Sequence, residues 1–124
     1  MTDTVVLSGA RVIVLEDDYY LATDLQHALE SAGAIVIGPF PDALDAGLAL
    51  ATEAPDCALV DVNLGDGPSF EFPRALQDHS VPFAFVTGYD RGAIPEEFQQ
   101  IERLEKPIAA QRCIDLAGRL MARG

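Results

Sequence analysis

Apolar residues along this chain come in two alternating rhythms. Largely apolar runs occupy 11–15, 34–38, 57–61 and 83–87, and a short fifth strand is expected over 101–105. Runs of that length bounded by turn residues read as strands buried on both faces. Between them the spacing turns helical. Leu21, Ala22, Leu25, Ala28, Leu29 and Ala32 predict a helix over 19–31, with Asp17 or Asp18 as its cap and Gly33 as its stop. A small-residue pattern over 43–52 predicts a second helix, capped by Asp42, with Leu44, Leu48 and Ala51 facing in. Pro39 to Asp42 reads as the turn before it. A third helix is expected over about 69–79, with Pro73 in its first turn, where its missing N–H costs nothing. After the fourth strand only residues 96–100 suit a helical turn, so the fourth helix is expected to be short or irregular. A last helix is expected over about 109–121, turning Cys113, Leu116, Ala117 and Leu120 inward.

Strand and helix in alternation imply an α/β fold in three layers, a parallel sheet between helices. At 124 residues and 49% hydrophobic the chain has room for one globular core. It divides into a loose leader over 1–9 and a single domain over 10–124. The N-terminus lacks the basic region of a signal peptide, and no apolar run reaches the ~18 residues of a membrane span. The formal net charge of −12 disfavours nucleic acid and anionic membranes as partners. It suits a basic protein face or divalent cations. Cys57 and Cys113 fall at inward positions and read as small hydrophobes, consistent with a cytoplasmic location.

Polar residues collect at one edge of the expected sheet. The first strand ends in Glu16 and Asp17, the third in Asp61, the fourth in Thr87 and the fifth in Lys106. Each alone has a plain explanation as a cap, a loop-start carboxylate, a β-branched strand end or a solvated lysine. Together they lie at the carboxyl edge, where open α/β sheets bind ligands. Two carboxylates about 4 Å apart repel by roughly 4 kcal/mol at an effective dielectric near 20. A hard cation with oxygen ligands, Mg²⁺ or Mn²⁺, relieves that. Asp17, Asp61, Glu16 directly or through water, and the backbone carbonyl near Asn63 are the candidate ligands. Asp61 is placed to take a phosphoryl group in line, with Lys106 and the metal offsetting developing charge. The Thr87 hydroxyl can then bond a phosphoryl oxygen.

Val14 to Asp18, Leu59 to Leu64, Val86 to Gly88 and Glu105 to Pro107 resemble, in this order, the motifs of response-regulator receiver domains over about residues 10–122. The resemblance implies the flavodoxin-like (βα)5 fold, with strand order 2-1-3-4-5. It implies Mg²⁺-dependent transfer from the phosphohistidine of a sensor histidine kinase or histidine phosphotransferase to Asp61. It also implies a cis bond at Lys106–Pro107. Such a protein is a phosphoacceptor rather than an enzyme, acting through an unknown downstream protein as a monomer or weak homodimer. The stretch Pro82 to Tyr89 is similar to the signature of the FAT GUY receivers, mostly single-domain alphaproteobacterial regulators, with Val86 in place of alanine.

Two features depart from the common pattern, the residue at 103 and the weak fourth helix. Arg103 stands where many receivers carry an aromatic switch residue, and Tyr89 reads either as the gate instead or as a plain surface residue. Gly88, Gly92 and Pro95 suggest a loop that orders on phosphorylation. His27 and His79 read as surface residues. Competing readings each meet an obstacle. A haloacid-dehalogenase-like phosphatase needs an Asp where Asn63 stands. A nucleotide or flavin site needs glycines where Glu16, Asp17 and Asp18 stand. A receiver-like adaptor that is never phosphorylated is the remaining alternative.

Overall fold

A computed structural model describes residues 7–62, 70–87 and 94–123. Five strands, β1 (Arg11–Leu15), β2 (Ile35–Phe40), β3 (Cys57–Asp61), β4 (Phe83–Thr87) and β5 (Arg103–Glu105), form one sheet in the order β2-β1-β3-β4-β5. Every neighbouring pair is parallel. Four helices cover it: α1 (Tyr19–Ser31), α2 (Ala43–Glu53), α3 (Glu71–Asp78) and α4 (Ala110–Arg123). The architecture is the flavodoxin-like one anticipated from the alternation and the resemblance.

Successive strand side chains point to opposite faces, and both faces are covered. Val12, Val14, Cys57, Leu59, Ala84 and Val86 pack against Leu25 and Leu29 of α1 and Leu116 and Leu120 of α4. Ile13, Leu15, Ala58, Val60, Phe83 and Phe85 pack against Ala46 and Leu50 of α2 and Phe72 and Leu76 of α3. This double burial is why the three central strands read as unbroken apolar runs. Cys57 and Cys113 are buried free thiols, each pushed up to about 12, by burial above all. Leu7, within the expected leader, is buried and donates its N–H to Ala32 O at 2.8 Å. His27 and His79 are exposed.

The structure departs from the sequence expectation in four places. β2 runs through Pro39 to Phe40 rather than stopping at Gly38. It is an edge strand, where a missing N–H is tolerated. Gly38 has φ +101, and a Cβ there would lie 2.8 Å from Phe40 N, so this bend needs glycine. β5 is shorter than expected, beginning at Arg103. α3 opens at Glu71 rather than near 69, though Pro73 falls in its first turn as expected. The fourth correction concerns α2. Its buried residues are Ala46 and Leu50, while Leu44 and Leu48 are 74% and 61% exposed and Ala51 is exposed.

Among the described residues, the region between β4 and β5 holds one 3₁₀ turn, Glu96–Phe98. It is held by Phe98, which is fully buried and stacks on Phe70 with ring centroids 5.6 Å apart. Phe83 and Phe85 meet the same ring edge-on. The peptide bond at Lys106–Pro107 is cis, as is that at Gly38–Pro39. Among the described residues, no helix is long and apolar enough to cross a membrane.

Candidate functional site

Parallel strands deliver their last side chains to the same edge, and here that edge is acidic. β1 runs into Glu16, which is 2% exposed, and then into Asp17, which is exposed. Asp18 caps α1 by accepting from the N–H groups of Tyr20 and Leu21 at 3.0 and 3.2 Å. Its own N–H donates to Glu16 Oε2 at 3.1 Å and holds that carboxylate under the helix start. β3 ends in Asp61, 2% exposed. A carboxylate oxygen from each of Glu16, Asp17 and Asp61 lies within 4.8 Å of the others.

β5 brings the counter-charge. Its ladder with β4 continues from Thr87 O to Lys106 N at 2.8 Å, which sets the lysine at the same edge. Lys106 Nζ lies 3.3 Å from Asp61 Oδ2 and 3.5 Å from Glu16. Burial pulls the lysine pKa down, but the two carboxylates outweigh it and hold the ammonium above its ordinary value. For Glu16 the balance goes the other way. Burial, then its hydrogen bond and repulsion with Asp61, push its carboxyl up to about 8, against the Asp18 N–H and the lysine. Glu16 Oε1 has no hydrogen bond although it is buried.

These observations test whether a divalent cation fits. The donors are all oxygens. Three carboxylates converge, one carboxylate oxygen is buried without a hydrogen bond, and one acid is open to solvent. Glu16, Asp17 and Asp61 are thus the kind of donor set that would suit Mg²⁺ or Mn²⁺. Asn63, the remaining candidate ligand, lies outside the described residues, as does Tyr89.

Thr87 stands one residue beyond Val86, the register partner of Asp61. It is 2% exposed and its hydroxyl has no hydrogen-bond partner. Buried hydroxyls are ordinarily bonded, so an oxygen-bearing ligand at this edge would satisfy it. Arg103 is not part of the cluster. Its Nη2 donates to Gln99 Oε1 at 3.0 Å, and Gln99 Nε2 in turn donates to Ile94 O at 2.6 Å. This chain ties β5 to the segment after β4. Sequence reasoning missed it, because a glutamine in a 3₁₀ turn carries no pattern of its own.

No family model and no curated protein matches the chain. Solved structures do. The receiver domain of a modulated diguanylate cyclase from Desulfovibrio desulfuricans is 29% identical with a TM-score of 0.73, over 94% of this chain and 98% of that one. A putative response regulator from Chloroflexus aurantiacus is 20% identical with a TM-score of 0.81, over 94% and 100%. The receiver domain of the PhyR response regulator from Erythrobacter litoralis is 21% identical with a TM-score of 0.81, over 94% and 92%.

Proposed function

We propose that this chain, a response-regulator receiver domain by fold, takes a phosphoryl group on Asp61 and signals through the change that follows. The observation that carries the reading is the site's composition. A buried aspartate, a lysine 3.3 Å away, two more acids within 4.8 Å and a buried threonine hydroxyl without a partner meet at one sheet edge.

In the reaction, an Asp61 carboxylate oxygen attacks the phosphorus of a phosphohistidine on a kinase or phosphotransferase. The new O–P bond forms as the N–P bond breaks, and the imidazole leaves with the electron pair. Glu16, Asp17 and Asp61 would hold a Mg²⁺ or Mn²⁺ ion, whose positive charge would offset the charge that develops in the transfer. Lys106 shifts from pairing Asp61 toward a phosphoryl oxygen. Thr87 donates its hydroxyl to another. The product adds about −1.5 to −2 charges, which draws Thr87 and Lys106 inward and perturbs β4 and β5. In this reading the domain is a phosphoacceptor, catalysing only its own phosphorylation and dephosphorylation. It works in the cytoplasm as a single-domain regulator acting on a partner protein. The FAT GUY resemblance carried by Pro82 to Tyr89 supports the single-domain role.

Intact mass after incubation with acetyl phosphate tests this. One added phosphoryl group is expected with Mg²⁺ and not without it, and none in Asp61→Asn. Failure of the wild type to form the adduct with metal bound, and to bind a stable phosphate mimic, would favour the phosphorylation-independent adaptor.

A further inference from the structure

The helix α2 is apolar on two sides. Ala46 and Leu50 face the sheet and are buried. Leu44, Leu48 and Ala51 follow one another at helical spacing on the outside, and all three are exposed. A surface helix ordinarily shows polar residues there. Each exposed leucine forgoes the stabilisation that burial would bring. The stripe is not a flat patch. It borders a groove of about 340 Å³ between α2 and α3, lined by Leu44, Gly47 and Leu48 on one side and by Glu71, Phe72 and Ala75 on the other. Gly47 lies on an open part of its wall, since a Cβ there would meet nothing within 4 Å.

The charges around the groove select what can fill it. Asp45 stands beside Leu44 and one turn from Leu48, and Glu71 lines the opposite wall. Among the described residues, neither has an ion pair. The arginines of the same region are committed elsewhere. Arg74 of α3 binds Glu97 at 2.6 Å, and Arg11 binds Glu53 at 2.8 Å. The groove is therefore apolar within, with Glu71 on one wall and Asp45 outside it beside the exposed leucines, on a chain of net charge −12. A second copy would bring the same acids against themselves, and an anionic lipid surface would be repelled.

We infer that the α2–α3 groove docks a basic amphipathic helix of a partner protein. Apolar anchors one turn apart pack on Leu44 and Leu48 and reach over Gly47 toward Phe72. Cationic side chains flanking them face Asp45 and Glu71. This is the helix-in-groove mode of recognition. It shares no residue with the Asp61 cluster and does not depend on phosphorylation.

The probe is a designed helical peptide with leucines on one face and lysines on the other, beside a counterpart with glutamate for every lysine. Both are titrated into the ¹⁵N-labelled chain. The lysine peptide is expected to bind saturably, with amide shifts centred on Leu44, Gly47, Leu48 and Ala75. The glutamate peptide is expected to bind at least about tenfold more weakly. Gly47→Gln fills the groove from an open position and is expected to weaken binding about tenfold or more. Gly118→Gln in α4, where a Cβ also meets nothing within 4 Å, is the matched control and is expected to leave it unchanged. Circular dichroism of both variants reports the fold. Shifts centred elsewhere, equal binding of the two peptides, or unchanged affinity in folded Gly47→Gln would overturn the inference. So would a dimer of the free chain, seen by sedimentation equilibrium and lost in Leu48→Gln, which would assign the groove to a second copy.

Discussion

Glu16 is where burial and charge conflict most directly. Its carboxyl is raised from 4.5 to about 8. In the metal-free protein the folded state therefore holds a proton between those values that the unfolded chain has released. Stability falls as pH rises through that window, because the folded state binds more protons there. Urea midpoints of the metal-free chain should decline from pH 5 to pH 8, and Glu16→Gln should flatten the decline. A slope unchanged in Glu16→Gln would place the titration elsewhere. Glu16, Asp61 and Thr87 were legible because each ends an apolar run, and a run's end fixes which sheet edge it reaches. What separates Glu16 from Asp17 was not legible. Consecutive acids look alike in a sequence, yet one is buried under the Asp18 N–H and the other is open to solvent. Arg103 was legible only as a departure from a pattern, since the expected turn over 96–100 did not say that Gln99 would bond back to β5.

At the level of elements, α1 was read to its observed ends because polar and apolar positions contrast sharply along it. The second helix was read to within one residue of its ends, but its inward face was not, since both its stripes are apolar and hydrophobicity could not say which packs on the sheet. The small residues decided it, as Ala46 is fully buried and fits where α2 comes close to the strands. The Pro39 stop was misread for a topological reason, because a sequence does not mark which strand lies at an edge. The end of α2 offers a separate test. Its C-cap residue, Ala54, is left-handed at φ 49, a conformation that costs an L-residue roughly 1–2 kcal/mol and glycine little. Offset by glycine's extra freedom when unfolded, Ala54→Gly should raise stability by about 0.5–1 kcal/mol. Ala54→Val should lower it. Denaturant melts of the two variants check the sign, and a loss in Ala54→Gly would refute the strain argument.

For the whole molecule, the net charge of −12 makes self-repulsion a general cost of compactness, and the converging acids at the Asp61 edge add a local one. Salt acts on the general term by screening, with a Debye length near 10 Å at about 0.1 M. A cation bound by Glu16, Asp17 and Asp61 acts on the local one and adds stability according to its concentration over its dissociation constant. The two are separable by experiment. NaCl should raise the melting midpoint of wild type and of Asp17→Asn alike. MgCl₂ at the same ionic strength should raise the wild type further, and Asp17→Asn should lose most of that excess. Asp17 is the right position because it is exposed, so its substitution removes a ligand without leaving a buried group unpaired. Equal effects of the two salts in the wild type would mean that the acids at this edge hold no specific ion. The concentration of charge there would then be tolerated through Lys106 and the Glu16 proton alone.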